Sequence, residues 1–140
     1  MQEHANQLEI SEMIAHLSLA LDYRNMEKTM EKFSADAHFV IEEDGRTTLD
    51  LKGREAIREH LAKKWETMDV VFHNTGATCS QIITLDQAAE SWTSAFVKTR
   101  TFDPSVTTDE CVHYHDRLIK VDGHWYIVER TIEVVTKSVF

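Results

Sequence analysis

From about residue 68 onward the spacing of apolar residues is that of strands throughout, and that change limits the folds this chain can adopt. Before it, apolar side chains recur every three or four positions, which predicts helices over 7–33 and 54–67. After it, apolar and polar residues alternate, which predicts long strands over 70–83, 88–102, 110–121 and 125–136. Helices followed by an uninterrupted run of strands are typical of an α+β fold, in which helices cover one face of a mostly antiparallel sheet.

Turn signals divide these stretches further. Asn25 is expected to cap a second short helix, which carries Met26, Met30 and Phe33 at the end of the first helical stretch. Two shorter strands are predicted at 36–42 and 47–51. Turns or loops are expected at 43–46, 85–87, 103–105 and 122–123. No repeat, low-complexity tract or linker interrupts the pattern, so residues 1–140 are expected to form one domain.

Composition excludes several classes of partner. The net charge of -9 would repel phosphate backbones and anionic lipid surfaces, so neither nucleic acid nor a membrane is expected as a partner. No apolar run approaches the roughly 20 residues needed to cross a bilayer, and the first residues lack the apolar core of a signal peptide. Cys79 and Cys111 form no paired motif and are expected to be small buried thiols. We therefore expect a cytoplasmic protein.

A histidine-rich stretch, VHYHDRLI at residues 112–119, raises the question of a metal site. Side chains alternate across a strand, so His113 and His115 share one face while Tyr114 and Asp116 share the other. One His-x-His pair supplies only two ligands, and no further histidine follows at a suitable spacing. A Gly-rich phosphate loop is also missing from the sequence. We expect no metal ion and no cofactor.

Three stretches, taken in order, resemble the SnoaL-like group of the NTF2-like superfamily. They are LDYRNMEKTMEKFSADAHFVIEEDG, LKGREAIREHL and YHDRLIKVDGHWYIVERTI, and the resemblance spans about residues 8–132. It implies a conical α+β fold, in which a curved, mostly antiparallel sheet wraps over the N-terminal helices. The mouth of such a cone is a usual place for a small apolar ligand. The family also implies a homodimer formed through the outer face of the sheet.

The same resemblance implies a set of site residues. Dehydratase-type members use an aspartate at the end of the first helix and a histidine on the third strand, which correspond to Asp22 and His73. It also turns Tyr114 and Asp116 into the cavity. Tyr114 would then donate to a developing oxyanion. Asp116 would be a second acid–base group or a structural partner of Arg130.

Large aromatic side chains are expected to form the wall of this cavity. Phe39, Trp65 and Trp92 are the candidates for substrate binding. Trp92 occupies the position of a second histidine in scytalone dehydratase, so this chain departs from that pattern. If Trp92 faces inward, it narrows the pocket and favours a flat or ring-containing ligand.

Two kinds of function remain open from the sequence. The first is a cofactor-independent enzyme that dehydrates, or shifts a double bond in, a small hydrophobic cyclic hydroxy-carbonyl compound, with His73 as acid or base and Asp22 orienting it. The second is a non-catalytic ligand-binding or dimerisation module, in which Asp22 and His73 only satisfy each other. A small subunit of a ring-hydroxylating dioxygenase is a third, minor possibility. Whether the pair faces a ligand-sized cavity separates the first two.

Overall fold

The computed structural model describes residues 1–84 and 87–140 and confirms the α+β order of elements. The predicted turn at 85–87 falls partly on Leu85 and Asp86, which lie outside the described residues. The elements are α1 (Gln2–Asp22), α2 (Met26–Met30), β1 (Phe33–Glu43), β2 (Arg46–Lys52), α3 (Arg54–Glu66), β3 (Met68–Thr84), β4 (Ala88–Thr101), β5 (Thr107–Val121) and β6 (His124–Val139).

The strands of the described chain form one open sheet in the order β2-β1-β6-β5-β4-β3. Four of the neighbouring pairs are antiparallel, and only β1 and β6 run parallel. The hairpin turns at Asp44-Gly45 and Asp122-Gly123 place both central residues at positive φ, the conformation that matches the twist of the flanking strands. The sheet is therefore mixed but mostly antiparallel, as the sequence predicts.

The hydrophobic core lies between the helices and one face of the sheet. Side chains one helical turn apart on α1 and α3 pack against inward-facing residues of β1, β5 and β6. The fully buried members include Ile10, Leu17, Ile57, Leu118 and Ile127. A smaller cluster, built on Val112 and Tyr114, continues this inner face toward the other end of the sheet. The two clusters position the cavity described below.

Two local predictions need correction. The first helix begins at Gln2, not near residue 7, and Phe33 opens β1 instead of closing α2. Phe33 follows helical spacing, but it lies beside Ile127 in the parallel pairing with β6, and the Ile127 amide donates to the Lys32 carbonyl. A contact almost a hundred positions away thus overrides the local pattern.

The Asn25 cap is confirmed, because its side chain accepts a hydrogen bond from the Lys28 amide at 3.1 Å.

The cysteines also differ from expectation. Cys79 and Cys111 are unpaired and exposed, not buried. In β5, Val112, Tyr114, Asp116 and Leu118 are buried while the residues alternating with them face outward, so Cys111 falls on the outer face of the sheet. Cys79 lies opposite Trp92, an outward-facing residue of β4.

Candidate functional site

A cavity of about 110 Å³ lies between the sheet and the C-terminal halves of α1 and α3. Most of its lining is apolar, and Phe39 and Trp65 form part of the wall, as expected from the sequence. Its polar lining residues are His73, Thr99, Glu110, Tyr114 and Arg130 from the sheet, with His60 and Lys64 from α3. A dry cavity of roughly 150 Å³ in another protein binds benzene, so this volume suits about one ring.

Asp22 and His73, 51 positions apart, meet at this cavity. Asp22 Oδ1 accepts two hydrogen bonds from His73, one from ring Nδ1 at 2.7 Å and one from the backbone amide at 2.8 Å. A carboxylate in the last turn of α1 is opposed by the helix dipole, so its position is explained by His73 and not by helix capping. The double contact holds the carboxylate against the strand and fixes the imidazole beside it.

The bond to Asp22 decides which ring nitrogen of His73 is reactive. A carboxylate only accepts, so Nδ1 carries the proton and Nε2 keeps its lone pair. Among residues 1–84 and 87–140, Nε2 has no hydrogen-bonding partner, and the His73 side chain lines the cavity. The side chain is only 9% exposed, so water has little access to it. His73 therefore offers one basic nitrogen to a molecule in the cavity.

The surroundings of His73 keep it neutral near pH 7. Burial lowers its pKa from the ordinary value of 6.5, because the charged imidazolium loses hydration. The hydrogen bond and charge of Asp22 oppose this shift, while the positive charges of Arg130 and Lys64 add to it. A neutral imidazole that already has an orienting carboxylate is ready to accept a proton.

Tyr114 faces the same cavity and is almost completely buried. Burial raises the pKa of its phenol to about 12, so the group stays protonated and can donate a hydrogen bond. The Arg130 guanidinium lies over its ring, 4.2 Å from the centroid, in a cation–π contact. The inward orientation expected for Tyr114 is the one observed.

Asp116 also points inward, but its contacts match the structural alternative. Its two carboxylate oxygens accept from Arg130, with Nε donating to Oδ1 at 2.8 Å and Nη2 donating to Oδ2 at 3.0 Å. Asp116 is 0% exposed, and Arg130 is 3% exposed. Both oxygens are therefore engaged in a buried ion pair. Arg130, not Asp116, is the member of the pair that lines the cavity.

The expectation for Trp92 is corrected by the structure. Its side chain is 40% exposed and stacks on His115 with ring centroids 5.0 Å apart, on the face of the sheet opposite the cavity. Its β4 neighbours Ser91 and Thr93 are buried, so strand alternation turns Trp92 outward. His113 lies on the same outer face, where Nδ1 contacts Ser94 Oγ at 2.9 Å.

Two cavity residues on α3, His60 and Lys64, are not among the site residues predicted from the sequence. His60 and Lys64 follow Ile57 and Leu61 by three positions each, and Ile57 and Leu61 are buried. His60 and Lys64 therefore lie beside the apolar stripe of α3. This spacing is the sequence signal that could have identified them as cavity residues. Within residues 1–84 and 87–140, no three His, Cys, Asp or Glu side chains are grouped so that they could hold a metal ion.

Comparison with known proteins supports the fold. The family model described as "SnoaL-like domain" matches residues 2–131, nearly the whole chain. Curated protein sequences include no significant match. None of the helices in the described ranges is both long and apolar enough to cross a membrane.

Solved structures share the whole architecture at low sequence identity. A scytalone dehydratase-like protein from Novosphingobium aromaticivorans superposes with a TM-score of 0.89 at 18% identity, covering 98% of this chain and 89% of that chain. A hexachlorocyclohexane dehydrochlorinase, LinA type 2, gives 0.83 at 13% identity, covering 99% and 91%. A protein with a cystatin-like fold from Nostoc punctiforme gives 0.64 at 22% identity, covering 91% and 89%.

Proposed function

Because this chain belongs to the SnoaL-like domain family, we propose that it is a lyase or isomerase that needs no cofactor. Its substrate would be a small hydrophobic ring compound that carries a carbonyl and a group to be lost, such as a hydroxyl. The observation that carries this proposal is the state of His73, whose Nδ1 is bonded to Asp22 while its Nε2 lacks a partner among the described residues and faces the cavity.

The proposed reaction begins with proton transfer to His73. Nε2 takes a proton from a carbon next to the substrate carbonyl, and Asp22 stabilises the imidazolium that forms. The electron pair of the broken C–H bond moves onto the carbonyl oxygen, where the Tyr114 phenol donates a hydrogen bond. In an elimination, the electrons then return from the oxygen to form a carbon–carbon double bond and expel the leaving group, which takes its proton from the His73 imidazolium. In an isomerisation, the imidazolium returns its proton to another carbon.

Cavity size supports a substrate with one ring. The cavity volume of about 110 Å³ is similar to the roughly 150 Å³ that holds benzene in another protein, so a single ring matches the cavity better than a fused multi-ring compound. Apolar and aromatic walls, including Phe39 and Trp65, suit the hydrophobic part of such a ring. The names dehydratase and dehydrochlorinase of two structural neighbours describe loss of water and of hydrogen chloride, which supports elimination ahead of isomerisation.

The geometry favours catalysis over the non-catalytic alternative. A purely structural pair would satisfy its own polar atoms, and Asp22 does satisfy Nδ1 of His73. It leaves Nε2 without a partner among the described residues, on a side chain that lines the cavity. A cavity residue whose pKa is shifted by loss of hydration and by a carboxylate partner is a candidate for a reactive group.

The test combines binding with turnover. A thermal-shift screen of single-ring hydroxy ketones, halogenated cyclic ketones and unconjugated cyclic enones identifies compounds that bind the folded protein. Each hit is then followed by ultraviolet absorbance for formation of a conjugated product. We expect His73→Gln to lower kcat by about 10²- to 10⁴-fold, the usual contribution of a general base.

His113→Gln is the matched control, because His113 lies on the outer face of the sheet. It should leave kcat within about twofold of wild type, as surface substitutions have little effect away from a site. Turnover of a bound compound that is unchanged in His73→Gln would reject His73 as the base. Binding without turnover across the whole panel would favour the ligand-binding module.

A further inference from the structure

The α3 side of the cavity presents a second polar region that the proposed reaction does not use. His60 and Lys64 are one helical turn apart on α3, and both line the cavity. The dyad of Asp22 and His73 comes instead from α1 and β3. A ring bound in this cavity of about 110 Å³ has both regions in its walls, because both line the same small space.

Lys64 brings a positive charge to this wall. Lys64 is exposed on its outer side, and within the described ranges no carboxylate lies close enough to it to form an ion pair. Its ammonium acts on both cavity histidines, since it contributes to lowering the pKa of His60 and of His73. The positive charge of Lys64 therefore acts in the space between His60 and His73.

His60 adds a hydrogen-bonding group beside that charge. The side chain is half-buried, its ring lies 6.5 Å from the Phe39 ring centroid, and it has no hydrogen-bonding partner among the described residues. Burial and the charge of Lys64 lower the pKa of His60, so the imidazole is neutral near pH 7. A neutral imidazole donates one hydrogen bond without requiring a counter-ion.

We propose that His60 and Lys64 form a subsite for an anionic oxygen, and that the substrate is a single-ring compound bearing a carboxylate. That such a compound is a substrate rests on the proposed function. That an anion binds at this subsite rests on the α3 residues. With the carboxylate held at α3, the rest of the ring extends toward the dyad and Tyr114. Lys64 would supply charge and His60 a directed hydrogen bond, which together select an acid over a neutral analogue.

One group in the cavity opposes an anion. Glu110, on β5, also lines the cavity and has no ion-pair partner among the described residues. Its charge would repel a carboxylate, so the preference for an acid depends on the ligand lying nearer Lys64. Removing that charge should therefore strengthen binding of an acid and leave a neutral analogue unaffected.

The test uses benzoate and benzamide, which have the same ring and nearly the same shape but differ in charge. Titration of ¹⁵N-labelled protein by NMR measures both affinities for wild type, Lys64→Gln, His60→Asn and Glu110→Gln. We expect wild type to prefer benzoate, Lys64→Gln to lose about tenfold in benzoate affinity, and benzamide affinity to stay within about twofold. His60→Asn should weaken benzoate less than Lys64→Gln, and Glu110→Gln should strengthen it.

Lys63→Gln is the control for net charge, because Lys63 and Lys64 are both exposed and of the two only Lys64 lines the cavity. Equal losses in Lys63→Gln and Lys64→Gln would overturn the subsite, as would equal binding of benzoate and benzamide, or no benzoate binding at millimolar concentration. The same titration in His73→Gln separates the two proposals. If benzoate still binds there while no compound is turned over by wild type, the subsite stands and the catalytic proposal fails.

Discussion

The buried pair of Asp116 and Arg130 gives a sharp prediction about stability. Replacing Asp116 by Ala would leave a guanidinium that is 3% exposed without its counter-ion and without two acceptors at 2.8 and 3.0 Å. Removing one member of a buried pair typically costs about 3–5 kcal/mol, because the remaining charge is neither hydrated nor paired. Domains of this size are stable by roughly 5–15 kcal/mol, so the loss would be a large share of the total.

Urea denaturation followed by circular dichroism measures this effect. With an m-value of about 2 kcal/mol/M, the expected cost lowers the urea midpoint by about 1.5–2.5 M. The matched control is Asp69→Ala, because Asp69 also accepts two hydrogen bonds from an arginine, Arg100, on a neighbouring strand. That pair is exposed, with side chains 38% and 46% accessible, so its loss should cost about 1 kcal/mol or less.

A double variant distinguishes a buried charge from a simple loss of packing. Combining Asp116→Leu with Arg130→Met removes both charges, so it should cost clearly less than the sum of the two single substitutions. The reasoning would be refuted by additive effects, or by an Asp116→Ala variant no less stable than Asp69→Ala.

Three other predictions follow from the site and its surroundings. Because burial lowers the pKa of His73 below 6.5, kcat/KM should be constant near pH 7 and fall only as acidification protonates the base; a fall already between pH 8 and 7 would contradict this. The pKa of His38 is raised, chiefly by its hydrogen bond to Asp50, so its contribution to stability is fully present below pH 6.5 and is lost as the pH rises through the folded-state value. His38→Gln should therefore destabilise the protein more at pH 6 than at pH 8.5, and equal losses in urea denaturation at the two values would count against it. Trp65→Ala should weaken binding of any ring ligand whereas Trp92→Ala should not, because only Trp65 lines the cavity; isothermal titration with the same ligand compares them.

Strand alternation made one part of the site predictable. In residues 112–119 the period of two separates Tyr114 and Asp116 from His113 and His115, and the structure places the first pair inside and the second on the outer face. The rule is local, since successive side chains point to opposite faces whatever the rest of the chain does. Which face would be the inner one came from the resemblance to the SnoaL-like group, not from the alternation.

The prediction that Trp92 forms part of the cavity wall was wrong. Its likeness to a histidine position of scytalone dehydratase made Trp92 a candidate for the cavity wall, but its β4 neighbours Ser91 and Thr93 are the buried residues. A shift of one position in a strand moves a side chain to the other face, so a likeness must be correct to the residue to assign a face. The pairing of Phe33 with Ile127 could not be predicted from the local sequence either, because β1 pairs in parallel with a strand almost a hundred positions away.

Local patterns in the sequence were enough to predict the order of helices and strands and the alternation within β5, and the family resemblance indicated Asp22 and His73 as a dyad. The fold was needed to bring Oδ1 of Asp22 to 2.7 Å from Nδ1 of His73 and to place His60 and Lys64 in the wall of the same cavity. The difference lies in how far along the chain each feature depends. Helical and strand periodicity depend on neighbouring residues, whereas a cavity is formed where helices pack on a sheet, by residues that are far apart in the chain.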